Sequence, residues 1–326
     1  MTIQINLSDP NQKVGTDFCQ VKTEMTQKIE YWEEYGPQGK TLPHSLGSDV
    51  KPIPWGKMTK KEFTPGYFKE KLVFGEDDLL KLSQMADEFK VITIEDMVGK
   101  GLRRLTARAR NLINWAIWQA VMTGEVKIDE NGVKYTATYG IPAQNLALTV
   151  ATAWATLASS KPLKDITAVI QSFLGTGYKL GKIKMNSYTA DLIVHSTDTK
   201  TYWNGIGIKE KLTLGNIEKN AQELTPGTSW EVNDDGYTND AGTFSIYIPN
   251  NKVLFLGNAP DLMDYCAVPH LENGRPVAGS DGIFAVPDYK HLTDPNPYAE
   301  IFGGTYGLPR IYRPTIIFVM DVTQTS

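Results

Sequence analysis

Residues 93–124 read TIEDMVGKGLRRLTARARNLINWAIWQAVMTG. Apolar side chains recur at Ile94, Met97, Val98, Leu102, Leu105, Ala109, Leu112, Ile113, Ala116, Ile117, Ala120 and Val121. Steps of three and four draw one continuous face of an α-helix. Thr93 stands where an N-cap belongs, Glu95 and Asp96 put negative charge in the first turn, and Gly124 closes the run. About thirty residues at ~1.5 Å each make a rod of roughly 45 Å, well beyond the average helix. A rod of that length needs a broad surface to lie on. Its other side carries Lys100, Arg103, Arg104, Arg108 and Arg110. Charge type alone does not separate a solvated polar face from a contact with a neighbouring chain or a polyanion.

Upstream of the rod the chain has a different character. Residues 1–17 are polar and unpatterned, an arm with nothing of its own to bury. Short β-type stretches follow between Phe18 and Tyr35. A turn-rich passage from Gly36 to Gly56 comes next, and extended character resumes from Lys57 to Phe74. Strand, long tip, strand is the pattern of a hairpin. This one carries few apolar residues on either face, and a two-stranded ribbon alone is marginal in water. The expectation is that it lies against something else, and no adjacent helix offers a surface.

Downstream, Glu125–Ile128 and Val133–Thr138 flank Asn131-Gly132, a dipeptide that supplies the positive φ of a tight hairpin. Pro162–Leu174 is expected as an amphipathic helix with proline in its first turn. A strand at Lys182–Met185 and helical stretches at Thr189–His195 and Leu214–Leu224 come next. Strands at Phe244–Ile248, Lys252–Leu256, Ile283–Val286 and Arg313–Val322 complete the reading. Helices early and strands late predict an α+β fold.

Composition bounds the function. In 326 residues, 41% are hydrophobic and 21% charged, which excludes global disorder. A formal net charge of −4 gives no reason to expect a dedicated nucleic-acid binder. Cys19 and Cys266 are far apart and outside any CxxC pair, and four histidines do not complete a structural zinc set. They are expected as unpaired thiols in a reducing compartment. The start Met1-Thr2-Ile3-Gln4-Ile5-Asn6 lacks the blocks of a signal peptide, and no stretch reaches the ~20 apolar residues of a membrane helix. A soluble intracellular chain without membrane contact is the expectation.

Catalytic templates fail on named points. Gly175-Thr176-Gly177 with Gly181 has the wrong spacing for a dinucleotide loop and follows a helix. Gly279-Ser280-Asp281-Gly282 is one residue short of a nucleophile elbow. Asn233-Asp234-Asp235-Gly236 lacks the loop glycine and the closing glutamate of a calcium site. No catalytic residue, cofactor or metal ligand is assigned, and no enzyme is expected. An arm, an unsupported ribbon and an overlong rod imply a chain that covers these parts with copies of itself.

Specific phrases point to a family. Phe63-Thr64-Pro65-Gly66-Tyr67 followed by Lys69 and Lys71 resembles a passage of the lambda-type major capsid proteins of tailed bacteriophages, the capsid protein E family. Further likenesses follow in the same order. They are the long helix, Gln119-Ala120-Val121-Met122-Thr123-Gly124-Glu125 before a hairpin, Asn251-Lys252-Val253-Leu254-Phe255-Leu256-Gly257-Asn258, and Asp294-Pro295 before two closing strands. The resemblance spans roughly residues 18–322, and the stretch from Gly227 to Gly242 departs from it.

The resemblance implies the Hong Kong 97 capsid fold. Residues 1–27 would be an N-terminal arm, 28–74 an extended loop across the neighbouring subunit, and 75–179 a peripheral domain whose spine is helix 93–123. Residues 180–299 would be an axial domain, with 300–326 returning to the peripheral sheet. It implies self-assembly into pentamers and hexamers of an icosahedral shell around packaged double-stranded DNA, contacted non-specifically. Portal, scaffold and, in some members, a decoration protein would be further partners. The place would be the virion, assembled in the host cytoplasm. Candidate inter-subunit contacts are Trp55, Phe63 and Tyr67 on the hairpin and Arg103, Arg104 and Arg108 on the helix. Packing within the hairpin is the other reading of the three aromatic residues. An encapsulin-type nanocompartment shell is the nearest alternative. An enzyme or small-molecule-binding protein with a site in the 226–300 loops is the second.

Overall fold

The computed structural model describes residues 15–26, 28–35, 40, 49, 56–75, 77–78, 94–130, 133–205, 212–220, 225–272, 275–277, 282–288 and 298–325. Along these residues run β1 (Cys19–Thr23), β2 (Ile29–Tyr35), β3 (Lys57–Phe63), β4 (Tyr67–Phe74), α1 (Ile94–Thr123), β5 (Glu125–Glu130) and β6 (Val133–Thr138). Then come α2 (Ala143–Leu146), β7 (Leu148–Val150), α3 (Pro162–Ser172), β8 (Leu180–Met185), α4 (Ser187–His195), α5 (Thr197–Gly205), α6 (Ile217–Asn220) and β9 (Ser229–Val232). The remaining strands are β10 (Gly236–Thr238), β11 (Phe244–Ile246), β12 (Lys252–Gly257), β13 (Met263–Ala267), β14 (His270–Glu272), β15 (Arg275–Val277), β16 (Ile283–Asp288), β17 (Ala299–Ile311) and β18 (Ile317–Thr325). The chain splits into two compact units. One gathers Met1–Ile29, Glu62–Ile117 and Met263–Arg310, the other Glu30–Lys61, Trp118–Leu262 and Ile311–Ser326.

The first unit is organised by β17. Over its first half β17 is bonded on both sides, antiparallel to β4 (Ala299↔Phe74 to Tyr306↔Tyr67) and to β16 (Glu300↔Asp288 to Thr305↔Ile283). It then pairs with β13, whose far edge takes β1 in parallel. Helix α1 lays Val98, Leu102 and Leu105 onto this sheet against Ile301, with Leu72, Phe74 and Ala285 around them. Close approach requires two facing glycines. A Cβ at Gly101 would stand 2.6 Å from Ile301 Cδ1, and one at Gly303 2.8 Å from Leu105 Cβ. The rod therefore has its broad surface within the chain. Arg110 is buried, four residues after buried Thr106 and three before buried Ile113, and so belongs to the covered part of the helix and not to its polar side.

Three further expectations are corrected. Extended residues after Phe63 are not the second strand of the ribbon. Among the described residues β2 pairs with β3 alone, while β4 belongs to the sheet under α1. The closing residues do not return to one sheet, since β17 lies in the first unit's sheet and β18 in the second's. The described end of the arm is not free either. Gly15 N–H donates to Asn114 Oδ1 at 3.0 Å, and Cys19 is buried at the start of β1.

In the second unit the sheet order is β7-β18-β12-β8-β9, with β12 antiparallel to both neighbours and β8 parallel to β9. Ile183, Val253, Leu254, Phe255, Ile317 and Val319 are buried there, and Phe173 meets Phe318 ring to ring at 4.7 Å. A continuous apolar run such as Val253–Leu256 is what a strand covered on both faces requires. β5 and β6 form the expected hairpin, paired from Glu125↔Thr138 to Glu130↔Val133. α4 starts two residues earlier than its periodicity predicts, because Asn186 caps it by accepting from Thr189 N–H at 2.9 Å. Of the helix expected at Leu214–Leu224, Ile217–Asn220 is helical and 221–224 lie outside the described residues.

On β18, burial alone would raise the Asp321 carboxyl, yet the Lys252 ammonium at 2.7 Å and the Thr323 hydroxyl and amide hold it down at about 2. A depressed folded value stabilises above the unfolded pKa of roughly 3.9 and is lost as pH falls through about 2. Wild type should therefore exceed Asp321→Asn by about 2 kcal/mol at neutral pH, with the gap closing to a few tenths at about pH 2. Urea midpoints of both proteins across that range check it.

Candidate intersubunit surface

The ribbon β2–β3 leaves the second unit from a buried polar anchor. Glu33, a strand residue at an inward position, has 0% exposure. Its carboxylate accepts from Gly140 N–H at 3.0 Å and from the Tyr31 and Tyr35 hydroxyls, and the Lys61 ammonium stands 3.8 Å away. Burial first, then the Glu33 charge, pushes the Tyr31 phenol far up. Burial, with the hydrogen bond to Glu33, does the same for Tyr35. Both hydroxyls remain donors at any working pH. Tyr31 also packs edge-on to Tyr312 at 5.7 Å, and Arg313 ties Glu34 (2.8 Å) to Asp261 (3.0 Å). The expectation that the ribbon has no surface of its own is thus corrected at its base. Ile29, Tyr31 and Glu33 face inward on this chain.

The outward face carries the alternate residues. Lys28 pairs with Glu62 at 2.5 Å and Lys60 with Glu30 at 2.6 Å, and beside them Trp32 is 55% and Met58 49% exposed. Period-two alternation places all six on one side of the ribbon. An exposed tryptophan and methionine rimmed by ion pairs is the composition of an interface centre. Sequence reading missed Trp32. Its signal was the alternation Ile29, Tyr31, Glu33, obscured because the third inward position holds a carboxylate.

The candidates named from sequence do not converge on one site. Trp55 lies outside the described residues. Phe63 ends β3, partly buried. Tyr67 is 50% exposed and packs on its own sheet, stacked on Phe284 at 6.0 Å and edge-on to Tyr306 at 5.4 Å. Arg108 does not present a free charge. Its guanidinium grips Glu70 with two bonds of 2.5 and 2.7 Å. Tyr67 and Glu70, three apart on β4, face opposite sides of the strand. Arg103 and Arg104 are exposed.

Other groups singled out in the sequence are spent locally. Cys19 and Cys266 are both buried and unpaired, and burial pushes the Cys266 thiol to about 12. In the acidic loop, Asn233 Oδ1 accepts from Asp235 N–H, Asp234 Oδ1 from Ser187 N–H, and Asn239 Oδ1 from Thr243 N–H. Among the described residues, no group of three or more His, Cys, Asp or Glu is placed to hold a metal. No described helix is long and apolar enough to cross a membrane.

The fold is that of phage-type capsid subunits. The chain is similar to the capsid of a native GTA particle, with 10% identity, 93% of this chain and 88% of the other covered, and a TM-score of 0.56. It is similar to the capsid of the cyanophage P-SCSP1u (9% identity, 94% and 86% covered, TM-score 0.53) and of Myoviridae phage XM1 (12%, 98% and 98%, 0.51). The sequence pattern of the family described as phage major capsid protein E matches residues 6–287. The chain belongs to that family, and it is a shell-forming capsid protein.

Proposed function

We propose that this protein assembles into pentamers and hexamers of an icosahedral shell enclosing the double-stranded DNA of a tailed bacteriophage, on the Hong Kong 97 capsid fold. In this reading residues 1–27 act as the N-terminal arm, and of the stretch 28–74 the ribbon up to Phe63 acts as the extended loop, with β4 left to the sheet under α1. Helix α1 is the spine of the peripheral domain, and an axial domain is drawn from the residues after 180. Portal, scaffold and decoration proteins are its further partners, and assembly takes place in the host cytoplasm. Family membership over residues 6–287 favours neither the nanocompartment nor the enzyme alternative.

The observation that carries the assembly reading is the ribbon. Its inward face is anchored by Glu33, while its outward face offers Trp32 and Met58 to water. Surfaces repeated around a rotation axis close into rings, and rings joined by related contacts close into shells. Aromatic side chains at the centre of such contacts carry most of the binding. Trp55, Phe63 and Tyr67 remain contact candidates, Tyr67 from the first unit's sheet and not from this ribbon.

Replacing residues 36–54 by Asn-Gly, the two-residue turn that a ribbon accepts, tests the proposal. The expected product keeps wild-type circular dichroism and loses particles in negative-stain images. A variant that assembles normally, or one that no longer folds, overturns the role given to the loop.

A further inference from the structure

The outward face of the ribbon carries a sulfur that the chemistry of the rest of the chain leaves singled out. Cys19 and Cys266 are buried, as are Met185, Met263 and Met320, while Met97 and Met122 are half-buried. Among the described residues, the sulfur-bearing side chains open to solvent are Met25, 68% exposed, and Met58, 49% exposed. Met25 lies between β1 and β2, off the ribbon. Met58 lies on it. Lys28 faces Glu62 and Glu30 faces Lys60, and two residues further along the same register Trp32 stands across from Met58. A polarizable thioether beside an indole is a favourable pair, and it occupies the middle of the face assigned to assembly.

We propose that Met58 is a site of reversible oxidation, and that a subunit oxidised there is kept out of the shell. The proposal rests on the assembly reading above and adds a chemical control to its contact surface. In the unassembled subunit the thioether sulfur attacks one oxygen of hydrogen peroxide. An S–O bond forms as the O–O bond breaks, sulfur gives up two electrons, and the departing hydroxide takes the remaining proton and leaves as water. The product is methionine sulfoxide, a polar and chiral side chain where an apolar one stood. The flanking cations Lys28 and Lys60 are already committed to Glu62 and Glu30, and burying a further acceptor weakens every repeat of the contact. Once two subunits have joined, the sulfur is covered and peroxide no longer reaches it. Methionine sulfoxide reductases restore the thioether with two electrons from a pair of thiols, which closes to a disulfide as the oxygen leaves in water.

The test treats the unassembled full chain with dilute hydrogen peroxide, locates the added oxygen by peptide mass mapping, and follows particles by light scattering and negative stain. Met58 should be oxidised before Met185, Met263 and Met320, and the protein concentration at which particles appear should rise at least ~10-fold. Reductase with thiol should bring the threshold back. Met58→Leu should assemble as wild type does and ignore peroxide, whereas Met25→Leu should stay sensitive. Met58→Gln should show the raised threshold with no peroxide added, and preformed particles should keep Met58 reduced. Oxidised wild type that assembles like untreated protein overturns the proposal, as does sensitivity that persists in Met58→Leu. Should Met58→Leu assemble poorly by itself, the reductase decides, since oxidised Met25→Leu must then regain assembly as Met58 is repaired. Untreated wild type that forms no particles refutes the shell reading and the proposal with it, while particles indifferent to Met58 oxidation refute the proposal alone.

Discussion

Asp264→Ala lowers the unfolding free energy of the first unit by about 4 kcal/mol, because it strands a buried guanidinium. Asp264 is 2% exposed and bonds Arg310 twice, Oδ1 to Nε at 2.7 Å and Oδ2 to Nη2 at 3.0 Å. Lys22 reaches the same carboxylate at 2.9 Å, and Glu24 meets Arg310 Nη1 at 2.7 Å. Four charges from β1 and its C-terminal extension, β13 and β17 thus meet at one point of the sheet. With Asp264 gone, Glu24, which is 41% exposed, still faces the buried arginine. Removing one partner of such a pair is far more costly than replacing both by apolar groups of similar size. The double variant Asp264→Leu, Arg310→Met should therefore recover most of the loss in urea titrations. Hydrogen exchange should quicken first at residues 19–23, the edge strand that Lys22 helps to hold. Equal stability of wild type and Asp264→Ala would refute the argument.

That network marks what a sequence can and cannot disclose. Helix α1 was legible because its apolar residues keep one period for thirty positions, and no other structure satisfies that pattern. The strands Lys252–Gly257 and Ile283–Asp288 were legible from apolar, β-branched runs. β17 was not. Gly303, Gly304, Gly307 and Pro309 give it poor strand propensity, and those glycines are there because helix and neighbouring strands press against it. Tertiary closeness chose the residues, and nothing local records it. The parallel pairing of β1 with β13 joins residues some 240 positions apart in the chain, which no pattern within either strand can signal. Among the candidate contacts, a tyrosine at position 67 reads alike whether it stacks on its own sheet or on a neighbour's. Arg108 likewise reads as a free cation until Glu70 is placed beside it. Trp32 was hidden by Glu33, since a carboxylate at an inward position breaks the alternation by which strands are recognised.

Glu33 is also where stability and assembly meet, and Glu33→Ala should disturb both. The substitution leaves the Gly140 N–H and the Tyr31 and Tyr35 hydroxyls without their acceptor and Lys61 without its counter-charge. Unmet buried donors cost about 1–3 kcal/mol each, and partial relaxation makes a loss of about 3 kcal/mol the expected value for the unit. A Cβ added at Gly140 would collide with the Tyr35 hydroxyl and the Glu33 carboxylate, so the chain approaches this site as closely as backbone allows. Glu33 thus helps set the ribbon's direction, together with the Tyr31–Tyr312 and Arg313–Glu34 contacts at its base. With Glu33 removed, the ribbon should swing, trypsin should cut sooner at Lys57, Lys60 and Lys61, and Gly140 should exchange its amide proton faster. Particle yield should fall more steeply than stability alone explains, because Trp32 and Met58 would no longer be presented at a fixed angle to the next subunit. Glu33→Gln keeps an oxygen for Gly140 and should recover the fold more fully than the assembly. If Glu33→Ala melts lower but assembles in proportion to its folded fraction, the carboxylate stabilises the unit without aiming the ribbon.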